Sequence, residues 1–143
     1  MLTAFPLLLI SVVIYNVYAW SQLAGAAATD PDLALRSALI GINMPSGGVW
    51  TIGVGDLLVF FSLALLFFEL LKSTSSRKVA IINHALSMAI FVLCLIEFLL
   101  FRSFATSTFF LITAMVLLDV MAGFIVTIIT ARKDFDFSGG AEA

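Results

Sequence analysis

Residues 108–131 read TFFLITAMVLLDVMAGFIVTIITA, an apolar run interrupted by a single ionisable side chain, Asp119. Runs of about 18 or more apolar residues are long enough to cross the hydrocarbon layer as a helix, which satisfies every backbone polar group without water. Three further runs of this kind precede it, at 2–20, 49–71 and 79–101. Composition points the same way: of 143 residues, 62% are hydrophobic and 11% charged, with a mean hydropathy of +1.18. A soluble domain of this length has too little interior to hide that surface. The expected fold class is all-α: an integral membrane four-helix transmembrane bundle, one domain over 1–143, with 132–143 as a polar, mobile cytoplasmic tail.

The connections set the expected orientation. Lys72, Arg77, Lys78, Arg132 and Lys133 fall on one side of the four segments, and only Arg36 and Arg102 on the other. The excess of cytoplasmic Lys and Arg in membrane proteins then places both termini in the cytoplasm. Trp20 closes the first segment and Trp50 opens the second, so both indoles sit at one interface. No Lys or Arg precedes the first segment, as one would before a secretory signal, so Ala26, Ala27 and Ala28 are not read as a cleavage site.

The turns from Lys72 to Lys78 and over 102–107 are short. The connection at 21–48 is longer, and Asp30-Pro31 supplies a helix cap followed by proline at the first helical position. Leu35, Ala38, Leu39 and Ile42 share one helical face, with Asp32 and Arg36 paired on the other. The spacing predicts a short amphipathic helix on the outer membrane surface, ended by Asn43-Met44-Pro45-Ser46-Gly47-Gly48.

Two short motifs overlap at the start of the second segment. Thr51-Ile52-Gly53-Val54-Gly55-Asp56 resembles the T-x-G-x-G-D filter of potassium channels, which implies backbone carbonyls as ion ligands. A filter needs a pore helix running into its threonine, and Pro45-Ser46-Gly47-Gly48 stands in that place. Gly53-Val54-Gly55-Asp56 also resembles the GxGD motif of intramembrane aspartyl proteases, which implies a second aspartate at equal depth sharing a proton. Asp119 is the mid-helix candidate, although in those families the partner precedes the motif. Helical rise from the expected segment ends puts the two carboxylates about 5–9 Å apart in depth. The alternative reading is a pair of glycines that ease helix approach and an aspartate that favours a helix start.

Ionisable residues inside the segments carry more information, because a charge in hydrocarbon is costly and faces the bundle or a hydrated cavity. They are Asp56, Glu69, His84, Glu97 and Asp119. A turn centred near position 76 puts Glu69 level with His84 and Asp56 level with Glu97, but the two pairs differ by about 220° around their helices. Glu69 with His84 is the expected structural pair; Asp119, Glu97 and Asp56 form the candidate polar site. Small and polar residues recur along each segment: Ser11, Tyr15, Tyr18 and Gln22; Gly55, Ser62 and Glu69; Asn83, Ser87, Cys94 and Glu97; Thr108, Asp119, Gly123 and Thr130. Helix contacts in lipid use such stripes.

A net charge of −2 offers nucleic acid no basic patch. One cysteine, Cys94, and one histidine make neither an intramolecular disulfide nor a multi-ligand metal site, and no Walker loop, HExxH, CxxC or GxSxG occurs. No cofactor, metal or catalytic group is expected. The expected function is a small non-catalytic accessory or structural subunit that packs against other membrane helices, as a homo-oligomer or within a larger complex. Compactness and the absence of an organelle signal place it in the bacterial inner membrane. The first alternative is an oligomeric proton, ion or small-solute conductor built on the intramembrane carboxylates, and the second is a GxGD-type protease.

Overall fold

A computed structural model describes residues 5–24, 30–72 and 77–139, with side chains described outside 23–24, 77–80 and 130–139. Positions 2–4, Ala26 to Ala28, the turn at 73–76 and the last four residues lie outside the described residues, as do the side chains of Arg77, Lys78, Thr130, Arg132 and Lys133.

Among the described residues, five helices and one hairpin follow in the order α1 (Leu8–Ala24), α2 (Pro31–Arg36), β1 (Ala38–Asn43), β2 (Val49–Gly53), α3 (Val54–Lys72), α4 (Arg77–Leu100) and α5 (Ser107–Gly139), with a 3-10 turn at Arg102–Phe104. Among the described residues, three stretches are long and apolar enough to cross a membrane: Val54–Lys72, Ile81–Leu100 and Ser107–Ile129. The apolar part of α1, Leu8–Gln22, is shorter. Pro6 precedes it, and helix geometry begins only at Leu8. The α5 helix continues to Gly139, so the expected mobile tail is helical through that residue.

The surface of the described residues is broadly apolar, and the interior combines a hydrophobic core with buried polar side chains. Ser11, Ser62, Glu69 and Asp119 are all 0% exposed, whereas Phe60 is 71% and Leu100 73% exposed. Water would favour the reverse arrangement; hydrocarbon favours this one, because the costly groups face each other and the Leu and Phe side chains face lipid.

The connection between α1 and α3 corrects the sequence reading in part. Asp30 caps α2 by accepting the Asp32 N–H at 3.1 Å, Pro31 takes the first turn, and Arg36 Nε donates to Asp32 Oδ2 at 2.7 Å, all as the sequence predicts. The helix nevertheless stops at Arg36, and Ala38, Leu39 and Ile42 lie on a strand instead of sharing a helical face with Leu35. Ala38–Asn43 pairs antiparallel with Val49–Gly53 in the register Asn43 to Val49, Ile42 to Trp50, Gly41 to Thr51 and Ile40 to Ile52. Leu39 is the extra residue at an irregularity between Ala38 and Ile40.

Met44-Pro45-Ser46-Gly47 closes the hairpin. The Gly47 N–H donates to the Met44 carbonyl at 2.9 Å, the Met44 N–H to the Gly48 carbonyl at 2.8 Å, and Gly47 sits at φ 84°, which only glycine adopts without strain. The apolar segment expected at 49–71 consequently becomes helical only at Val54.

Tight contacts fix how the hairpin end meets the bundle. A Cβ on Gly53 would lie 2.6 Å from the Leu35 carbonyl oxygen, and one on Gly55 2.5 Å from Thr108 Oγ1. The two motif glycines thus let the start of α3 press against α2 and the first turn of α5. From α2, Arg36 donates to Ser107 Oγ at 2.8 Å, and Asp32 accepts the Ser107 N–H at 3.3 Å. Thr106 Oγ1 caps α5 by accepting the Phe109 N–H at 3.2 Å.

Candidate functional site

The candidate site is the polar interior, built in two layers near the Lys72 end. In the first, Asn83 of α4 donates to Glu69 Oε1 of α3 at 2.6 Å, and the Leu7 N–H, just before α1, donates to Glu69 Oε2. Lys72 Nζ lies 3.4 Å from Glu69 Oε1, 3.4 Å from Asn83 Oδ1, and also donates to the Phe5 carbonyl. One buried carboxylate thereby gathers donors from both ends of the α3–α4 turn and from the start of α1. Such a group is tolerated at low dielectric because its oxygens are occupied.

The second layer lies about one helical turn, roughly 5–6 Å, towards the hairpin end. Ser87, one turn beyond Asn83, donates to Asp119 Oδ2 at 2.5 Å, joining α4 to α5. Ser11, one turn beyond Leu7, is also fully buried. Neither Ser11 Oγ nor Asp119 Oδ1 has a hydrogen-bond partner among the described residues. Asn83 and Ser87, one turn apart on α4, link the two layers through Glu69 and Asp119.

Beyond these layers the interior closes. Tyr15 is 0% exposed and donates its hydroxyl to the Ser103 carbonyl at 3.1 Å, with Thr106 Oγ1 2.6 Å away. Its ring stands 4.6 Å from that of Phe109 and 5.6 Å from that of Phe104, with Ile112 and Val116 buried beneath. The polar interior is therefore blind at the hairpin end, while Lys72 is partly exposed at the other.

The structure separates the three residues of the expected polar site. Asp56 is exposed in the first turn of α3 and accepts the Gly53 N–H at 2.8 Å, the reach-back half of a capping box. Glu97 accepts from Asn16 Nδ2 at 3.2 Å, about 15 Å farther along α4 than Ser87. Because Gly55 touches Thr108, Asp119 stands about 16 Å along α5 from the level of Asp56. The sequence count of 5–9 Å assumed a helix from position 49 and placed Asp56 too deep. A carboxylate dyad that shares a proton requires contact, which this separation denies to Asp56 and Asp119.

For the expected Glu69–His84 pair, the residue that bonds Glu69 is the preceding one, Asn83. His84 lies against Gly123 of α5, where a Cβ would overlap its ring, and lines an open groove of about 240 Å³ with Ala85, Met88 and Phe124. Compared with known proteins, the chain matches no family model, no curated protein and no solved structure.

The residues that sequence reasoning left out of its site are Asn83, Ser87, Lys72, Ser11 and the Leu7 N–H. A signal existed for some of them, because Ser11, Asn83 and Ser87 belong to the small and polar stripes. No group of three or more His, Cys, Asp or Glu residues able to hold a metal ion occurs among the described residues.

Proposed function

We propose that the chain is a four-span protein of the bacterial inner membrane, both termini cytoplasmic, that acts as a non-catalytic accessory or structural subunit packed against other membrane helices. The fourth span is α1. Two contacts support this reading: Leu7, just before α1, meets Glu69 near the Lys72 end, and Tyr15 reaches Thr106 towards the opposite end. Lys72 and the beginning of α4 lie at the end where the sequence concentrates its basic residues, which supports a cytoplasmic assignment for that end.

One observation carries the accessory reading: Glu69, Asn83, Ser87, Asp119, Tyr15 and Thr106 are engaged in tying the bundle's own helices together. Glu69 joins α3 to α4 and to the chain entering α1, Asp119 joins α5 to α4, and Tyr15 joins α1 to the segment entering α5. The outer faces of α3 and α4 remain broadly apolar, with Phe60, Phe67, Phe68 and Leu99 all more than half exposed. Extraction in mild detergent followed by native mass spectrometry and in-membrane cross-linking tests this. Additional copies or a stoichiometric partner subunit are expected; a monomer that cross-links to nothing in the membrane refutes it.

A second reading, proton or ion conduction by an oligomer, is favoured by Asp119 Oδ1, which is buried without a hydrogen-bond partner among the described residues. It predicts flux in proteoliposomes that Asp119→Asn abolishes while the fold persists, since an amide cannot titrate. Under the accessory reading no flux occurs and the variant assembles normally.

A further inference from the structure

We propose that the β1–β2 hairpin is a membrane-surface anchor whose apolar face lies in the interfacial layer of the outer leaflet. Alternation along paired strands puts Ile40, Ile42, Trp50 and Ile52 on one face, as the cross-strand pairs Ile40–Ile52 and Ile42–Trp50. The other face carries Gly41, Asn43 and Thr51, with Val49. The hairpin is therefore amphipathic, and its apolar face is uncovered: Ile40 and Trp50 are each 55% exposed and Ile42 40%.

Three observations choose lipid as the occupant. No Asp, Glu, Lys or Arg occurs between Arg36 and Asp56, whereas exposed edge strands in water are protected by charge, often lysine. β2 runs into α3 without a linker, Gly53 being followed at once by Val54 of a helix long and apolar enough to cross a membrane, which holds the hairpin at the end of that span. The face is also small: it presents four side chains, Ile40, Ile42, Trp50 and Ile52, against about 20–30 residues a side in a stable protein interface. A lipid surface sets no such minimum, and Trp50 suits the headgroup boundary, where an indole buries its ring and keeps its N–H wet.

The inference rests on α3 being a span, and the test separates the two claims. Trp20→Phe leaves Trp50 as the single indole in protein reconstituted into phosphatidylcholine vesicles; in a control, Trp20→Phe, Trp50→Phe and Phe60→Trp together place one indole on α3. Quenching is read with lipids brominated near the headgroup end or the methyl end of the acyl chain, and with aqueous iodide. The expected result is blue-shifted Trp50 emission, quenched several-fold more strongly by bromine near the headgroup than near the methyl end, and little affected by iodide. Iodide quenching without bromine quenching would mean that the hairpin stands in water. Protection from both would mean that protein covers it, as a second copy or a partner subunit. Either outcome overturns the anchor, while bromine quenching of the α3 probe shows that the span itself stands; loss of bromine quenching at both probes would overturn the span as well.

Discussion

Removal of the Glu69 carboxylate should cost the bundle more than any other single polar deletion. Glu69→Ala strands the Asn83 amide and the Leu7 N–H, and takes the counter-ion from Lys72. At about 1–3 kcal/mol for each buried polar group left unsatisfied, a loss of about 2–4 kcal/mol is expected after partial relaxation. The pairwise term is smaller, because in lipid the unfolded helices also find partners and interhelical hydrogen bonds average about 0.6 kcal/mol, with about 1.7 as an upper value. The short Asn83–Glu69 bond, fully buried at the acceptor, belongs near the upper part of that range, so a cycle of Glu69→Ala, Asn83→Ala and the double variant should give about 1 kcal/mol of coupling. Reversible unfolding in mixed micelles, or steric trapping in bicelles, measures it. A parallel cycle with His84→Ala should show weaker coupling to Glu69. Additive effects in the Asn83 cycle, or stronger coupling in the His84 cycle, would refute the assignment of Asn83 as the residue that holds Glu69.

Gly55→Val should separate the starts of α3 and α5, since its first side-chain carbon already meets Thr108 Oγ1, and cost about 1–3 kcal/mol in the same unfolding assay; an unchanged midpoint would show that this approach is not tight. Gly53→Ala, whose Cβ would meet the Leu35 backbone, should reduce protection of the hairpin amides from hydrogen exchange while α4 and the buried part of α5 stay protected. In a Cys94→Ala background, a cysteine at Ser46 on the hairpin turn should react with an impermeant thiol reagent added outside cells and one at Ser75 should not; the reverse pattern would invert the orientation.

Sequence alone determined the three long apolar helices, because hydrocarbon admits only helices or closed barrels and a long run with so few charges has no other stable environment. It also determined the α2 cap and the Asp32–Arg36 pair, which are local, and the small and polar stripes that became the interior. Its reading of 38–42 as helix used a spacing that a short strand also satisfies. The competing signal was present in the β-branched Ile40, Ile42, Val49, Thr51 and Ile52 around a Pro-Ser-Gly-Gly turn. That five-residue displacement of the α3 start in turn carried Asp56 to the end of its helix and away from Asp119. Depth could be counted along the chain, but direction around a helix could not. Asn83 and His84 differ by about 1.5 Å in height and 100° in azimuth, and only the packing of α4 against α3 and α5 decided that the asparagine faces Glu69 while the histidine faces Gly123.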